Sequence, residues 1–217
     1  HPKELKYQLG VIIAQDKSGD TIKAEKGYDK FFKKLDGGRA QTINLARTFT
    51  RNSMYQKALN VYILSEKINE KNNFGMEKAQ LFAQLDETDS MLNEYLDEIE
   101  RNPKKKSVIT SKIQFFLDNN GIKNDKNYEL VKKALLRRVR TEDKRIDFSE
   151  MLIWLFMQNH QFEMALIQAK ALDKRIRSDG EGVYDLAETF LDKEHFDISV
   201  DAYNYIIEKG KKNRFFI

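Results

Sequence analysis

The feature that leaves this chain least freedom is a repeat with a period near 34 residues. Small-x3-aromatic signals recur as Ala24…Tyr28, Ala58…Tyr62, Met91…Tyr95 and Ser199…Tyr203. Their first residues lie 34, 33 and 108 positions apart, and Ala165 stands 34 before Ser199. A fixed period of this size marks one supersecondary unit used in series. Such a unit buries its apolar face only against its neighbours, so the expected product is a stacked array with a long binding surface.

Composition narrows the class. Two prolines and ten glycines interrupt 217 residues, and 33% of the chain is charged. That balance suits amphipathic helices with solvated outer faces. No stretch reaches the ~18 apolar residues of a membrane span. There is no cysteine, which excludes disulfides, cysteine nucleophiles and thiolate metal sites. The net charge is only +4, with Lys and Arg interleaved among Asp and Glu. A general nucleic-acid binder shows a stronger and more segregated basic excess.

Periodicity and turn signals predict helices over 4–15 and 21–35, with Asp20 capping the second and Asp36-Gly37-Gly38 ending it. Pairs follow at 40–50 with 54–69 and at 75–84 with 88–101, where Asn102-Pro103 stops the chain. An irregular fourth pair, 107–117 with 127–140, carries a long loop at 118–125. From Met91 to Ala165 is 74 residues, so one repeat holds about six extra. Helices at 148–157 with 161–176, and at 183–191 with 196–209, complete six hairpins. The expected fold is an all-α, right-handed superhelix, a single solenoid over 1–217. Its units fall near 4–38, 39–72, 73–105, 106–145, 146–179 and 180–213.

The residues at fixed offsets make the chain resemble tetratricopeptide repeat (TPR) proteins. The matching positions are Leu45-Ala46, Phe49, Ala58, Tyr62 and Ser65 in 39–72, and Ala79, Phe82, Met91, Tyr95 and Pro103 in 72–105. They continue as Ile153-Trp154, Met157, Ala165 and Leu172 in 146–179, and as Leu186-Ala187, Phe190, Ser199, Tyr203 and Ile206 in 180–213. Small residues stand where two helices touch, and aromatics fill the gap to the next hairpin. Trp154 departs from the pattern at a position that is normally small, and the fourth unit is stretched.

The resemblance implies a non-catalytic scaffold or adaptor that binds a protein or peptide on the concave face formed by the first helices. On that face it places Arg47, Thr50 and Arg51, then Met76, Gln80 and Gln84. Further along it places Glu150, Gln158 and Asn159, and finally Tyr184, Glu188 and Asp192. The groove is then basic near its first units and acidic near its last, which orients a charged segment. Arg47 and Arg51 lie one helical turn apart and can hold a carboxylate. The family's Lys and Asn carboxylate clamp is absent.

Two alternatives belong to other classes. One is self-assembly or complex assembly, through the apolar ending Arg214-Phe215-Phe216-Ile217. The other is a nucleic-acid-associated regulator using Lys132, Lys133, Arg137, Arg138 and Arg140, with Lys104-Lys105-Lys106 as a second basic run; Glu129, Glu142 and Asp143 lie close to the first. No catalytic residue, cofactor or metal is expected. His1, His160 and His195 are far apart, the last two in hairpin turns, and no glycine-rich phosphate loop occurs. Trp154, Phe148 and Phe156 read as core. The ends carry neither initiator Met nor signal peptide and read as cut edges, with more repeats expected past 217. Lys, Asn and Ile richness with little Pro suggests a bacterial source. Cytoplasm and, after removal of a signal, periplasm both fit.

Overall fold

One turn chemistry organises the chain. A computed structural model describes residues 2–118, 125–141 and 145–210. Five hairpin turns in it share one backbone pattern. The residues Gly19, Ser53, Asp86, His160 and Glu194 hold positive φ, between +56° and +93°. They lie 34, 33, 74 and 34 positions apart, the period of the sequence signals. In each turn the next residue's N–H reaches back to the carbonyl five positions earlier. The pairs are Asp20 to Gln15, Met54 to Phe49, Glu87 to Phe82, Gln161 to Phe156 and His195 to Phe190, at 2.8–3.1 Å. A left-handed residue with a six-to-one bond is the standard way to satisfy a helix's last carbonyls. Four of the five positions do so without glycine.

The described residues form twelve α-helices and no strand. The contacts divide the chain into two units, 1–101 and 102–217. Unit 1 holds three hairpins: α1 (Pro2–Lys17) with α2 (Thr21–Phe32), α3 (Arg39–Arg51) with α4 (Tyr55–Ile68), and α5 (Gly75–Gln84) with α6 (Thr88–Arg101). Unit 2 opens on a 3-10 turn, Pro103–Lys105, followed by α7 (Lys106–Leu117) and α8 (Asp125–Thr141). It continues with α9 (Asp147–Gln158) and α10 (Phe162–Ile176), then α11 (Glu181–Asp192) and α12 (Phe196–Glu208). The loop expected at 118–125 falls largely outside the described residues. So do His1, Glu142, Asp143 and the ending at 214–217.

In unit 1 the small positions are filled as the period requires. Ala24, Ala46, Ala58 and Ala79 are fully buried. Aromatic rings then join the hairpins: Tyr28 meets Phe49 at 5.7 Å between centroids, and Tyr62 meets Phe74 at 4.8 Å. Gly37 takes φ +74°, and a Cβ there would stand 2.8 Å from Ile68 Cγ2, so both conformation and space demand glycine. The side chains of Thr42, Ser65 and Asn72 tie this corner. Thr42 Oγ1 donates to Ser65 Oγ at 2.8 Å, and Asn72 Nδ2 donates to Gly37 O at 2.7 Å. In unit 2 the core runs through Phe162, Leu166, Val183, Ala187, Phe190, Ala202 and Ile206.

Two expectations are corrected. The helix expected to reach Leu35 ends at Phe32, because Lys34 N and Leu35 N already bond three residues back and unwind the last turn. In 146–179 the repeat pattern is displaced by one residue. Gln161 N bonds to Phe156 O, which makes Phe156, not Met157, the counterpart of Phe49 and Phe190. The Leu45-Ala46 counterpart is then Leu152-Ile153. Leu152 is fully buried and Trp154 half-buried. Trp154 therefore does not occupy a small position; its counterpart in unit 1 is the exposed Arg47. Phe148 and Phe156 are core, as expected.

Candidate functional site

The repeat leaves a trough where the first helices of adjacent hairpins lie beside the aromatic of the second helix. In unit 1 this trough is a cavity of about 640 Å³. α3 supplies Ile43, Arg47, Thr50 and Arg51; α4 supplies Tyr55 and Tyr62; α5 supplies Glu77, Gln80 and Gln84; α6 supplies Tyr95. Spacing explains the set. Arg47 and Arg51 stand four apart on one face of α3, as Gln80 and Gln84 do on α5.

The floor is tyrosine and the rim is charged. Tyr62 and Tyr95 are buried, while Arg47, Thr50, Arg51, Gln80 and Gln84 are exposed. Burial raises the Tyr62 hydroxyl pKa, Glu77 adds to this, and Arg47 and Arg39 oppose it. Burial alone raises that of Tyr95. Both phenols are therefore neutral donors at pH 7. Arg47 and Arg51 have no ion-pair partner among the described residues. They also line a second cavity of about 350 Å³ with Lys6, Gln41, Asn44 and Thr48. Arg39 is engaged elsewhere: its guanidinium lies 4.7 Å from the Phe74 ring centroid and donates to Asn73 O at 3.1 Å.

Five of the six groove residues expected in unit 1 thus meet around one cavity. Met76 does not; it is half-buried on α5. Glu77, Tyr62 and Tyr95 also belong to the trough. The two tyrosines were legible only as repeat aromatics.

The corresponding trough of unit 2 has a volume of about 460 Å³ and a different chemistry. Glu150, Asp173, Glu181 and Asp185 stand around Ile153, Leu172, Leu186 and Thr189. Asp173 is already satisfied: Tyr205 Oη donates to it at 2.6 Å, and Ser178 and Lys209 also donate. Burial pushes its pKa up, but these three donors outweigh burial and hold it below the ordinary carboxylate value. Glu150 pairs with Lys106. Of the other expected residues, Gln158 and Asn159 border a separate 40 Å³ cleft beside Tyr128. Tyr184 packs edge-on against Tyr203 at 6.1 Å, Glu188 accepts the Tyr203 hydroxyl, and Asp192 is exposed at the end of α11.

The basic stripe on α8 is largely engaged. Lys132 pairs with Glu129 at 2.5 Å and covers the Tyr128 ring, and Arg137 and Arg138 also have partners. No group of three or more His, Asp or Glu side chains with metal-binding geometry occurs among the described residues. No helix among them is long and apolar enough to cross a membrane.

No family model matches this sequence, and no curated protein does. Solved structures of similar helical arrangement exist. A tetratricopeptide repeat protein of Parabacteroides merdae is 15% identical, with 96% of this chain and 81% of that one covered and a TM-score of 0.37. A thermophilic TPR protein of Thermus thermophilus is also 15% identical, with 79% and 91% covered and a TM-score of 0.38. YrrB, described as a TPR protein with an unusual peptide-binding site, is 13% identical, with 83% and 91% covered and a TM-score of 0.32. All three belong to the family the sequence resembles. Scores of this size lend no weight to a reading of function, which rests on the groove itself.

Proposed function

We propose that the chain is a non-catalytic interaction scaffold, and that the unit 1 trough holds an extended, acidic segment of a protein partner. The observation that carries this is the pair Arg47 and Arg51, exposed and without an ion-pair partner among the described residues, beside a 640 Å³ trough floored by buried tyrosines. Cations with no internal partner are available to a ligand's carboxylates, and an arginine fork binds them with fixed geometry. Tyr62 and Tyr95 offer flat apolar area and neutral hydroxyl donors at little entropic cost. Gln80, Gln84 and Thr50 can bond a ligand backbone.

The test is fluorescence anisotropy with a set of labelled Asp/Glu-rich peptides that also carry aromatic residues, against wild type and Arg47→Glu/Arg51→Glu. The expected result is saturable binding that weakens as salt rises and falls at least about tenfold in the double variant, or about 1.4 kcal/mol. Equal binding by the two proteins, or no binding of any acidic peptide at low salt, would retire the proposal.

A further inference from the structure

Two exposed apolar faces of this chain occupy positions that are buried in some of its other repeats. On α12, Phe196, Val200 and Ile207 are 58%, 57% and 58% exposed. The turn pattern fixes their counterparts. Val200 stands six residues after the left-handed Glu194, as Leu59 does after Ser53 and Leu166 after His160. Leu59 and Leu166 are each 2% exposed, in the cores that α4 and α10 share with the hairpins that follow them. Phe196 corresponds to the buried Phe162, and Ile207 to the buried Asp173. α12 thus presents the stacking face of a repeat with no hairpin laid over it among the described residues.

The complementary face is on α1. Tyr7 and Val11 are 70% and 58% exposed, and Gly10 and Ala14 lie open beside them. Val11 stands eight residues before the left-handed Gly19, the place held by Leu45 and Leu152, which are 4% and 0% exposed. Tyr7 holds the place of Phe74 and Phe148, both fully buried. Phe74 packs on Tyr62 of the hairpin before it. The chain already makes this kind of contact internally, from α4 to α5 and from α10 to α11. Charge agrees with such a pairing. The α11–α12 hairpin, 181–209, carries eight acidic and two basic residues, whereas the α1–α2 hairpin, 4–34, carries five acidic and seven basic.

We propose that these faces meet between molecules, with α12 of one copy seated on α1 of a second copy. The contact is heterologous, since each copy offers a different face, so assembly continues with concentration unless a ring closes. Two copies of α12 facing each other would bring like-charged hairpins together, which disfavours a symmetric pairing through that helix alone.

Sedimentation velocity over a range of concentration tests this with wild type, Val11→Asp, Val200→Asp and an equimolar mixture of the two variants. Both positions are exposed, and circular dichroism checks that helicity is kept; Tyr7→Glu and Ile207→Glu repeat the design on the same faces. The expected wild-type mass rises with concentration and falls back as salt is added. Each variant alone stays a single chain. The mixture reaches two chains and no more, because each variant retains the face the other lacks. A wild type that remains a single chain at every concentration would overturn the contact. So would a mixture no heavier than its components, or a variant that still pairs alone.

Discussion

Replacing Lys78 by Met removes a charge and keeps the length of the side chain. Lys78 Nζ lies 2.8 Å from Glu66 Oε2 and 2.8 Å from Glu94 Oε1, and the residue is 8% exposed. The two carboxylate oxygens are therefore no more than about 5.6 Å apart. Without the ammonium they repel by about 3 kcal/mol at an effective dielectric near 20. Measured losses from stripping one partner out of a buried pair run to about 3–5 kcal/mol, so both routes give a loss near 3 kcal/mol at pH 7. Adding Glu66→Gln and Glu94→Gln to the variant should recover most of the loss. Urea unfolding followed by ellipticity measures each value. A loss under about 1 kcal/mol at pH 7, the range of a surface pair, would refute the reasoning, as would a loss that the two added glutamines do not reduce.

Other outcomes can be checked by the same method. Gly75→Ala would place a Cβ 2.8 Å from Glu98 Oε2 and 3.2 Å from Arg101 Nη1, and should cost about 1–3 kcal/mol. Gly10→Ala, in mid-helix with nothing within 4 Å, should instead add about 0.5–1 kcal/mol. Glu194→Gly relieves a left-handed residue at φ +62° and should raise stability by about 0.5–1 kcal/mol, seen as a higher Tm. The two buried ion networks predict opposite pH limits. The pKa of Asp173 is lowered in the fold, so its contribution is present above the unfolded carboxylate pKa of ~3.9 and is lost as pH falls through the lower folded value; Asp173→Asn should flatten the acid limb of a stability profile. Burial pulls the Lys78 pKa down, but bonds to Glu66 and Glu94 outweigh it and leave it raised. Its contribution is full below ~10.4 and is lost as pH rises through the folded value, so Lys78→Met should flatten the alkaline limb.

The hairpins were legible because most carry a small residue five positions after the turn: Ala24, Ala58, Ala165 and Ser199. The boundaries expected for α5 and α6 match the structure. The left-handed conformation of the turn residues was not legible: Ser53, Asp86, His160 and Glu194 carry positive φ without the glycine that usually announces it. Lacking that marker, the register of 146–179 was set from apolar residues alone. In the run Met151–Met157 every residue is apolar, so a shift of one residue leaves the apparent match intact. Only the bond from Gln161 to Phe156 fixes it. Arg47 and Arg51 could be placed from the helical period, whereas the sequence shows Tyr62 and Tyr95 only as repeat aromatics and not as the floor of a trough.

That separation between turn and trough has a consequence for recognition. The turn that holds the backbone recurs in both units. Most residues that line the troughs lie outside the turns and the stacked core, so they differ without disturbing it; Tyr62 belongs to both sets. At matched positions Ile43 is replaced by Glu150, Arg47 by Trp154, Arg51 by Gln158 and Tyr62 by Ala169, while Glu77 is matched by Asp185. The acidic segment proposed for the two arginines of unit 1 would meet no cation at the matched positions of unit 2, Trp154 and Gln158. Under that proposal the segment is expected to favour unit 1 over unit 2.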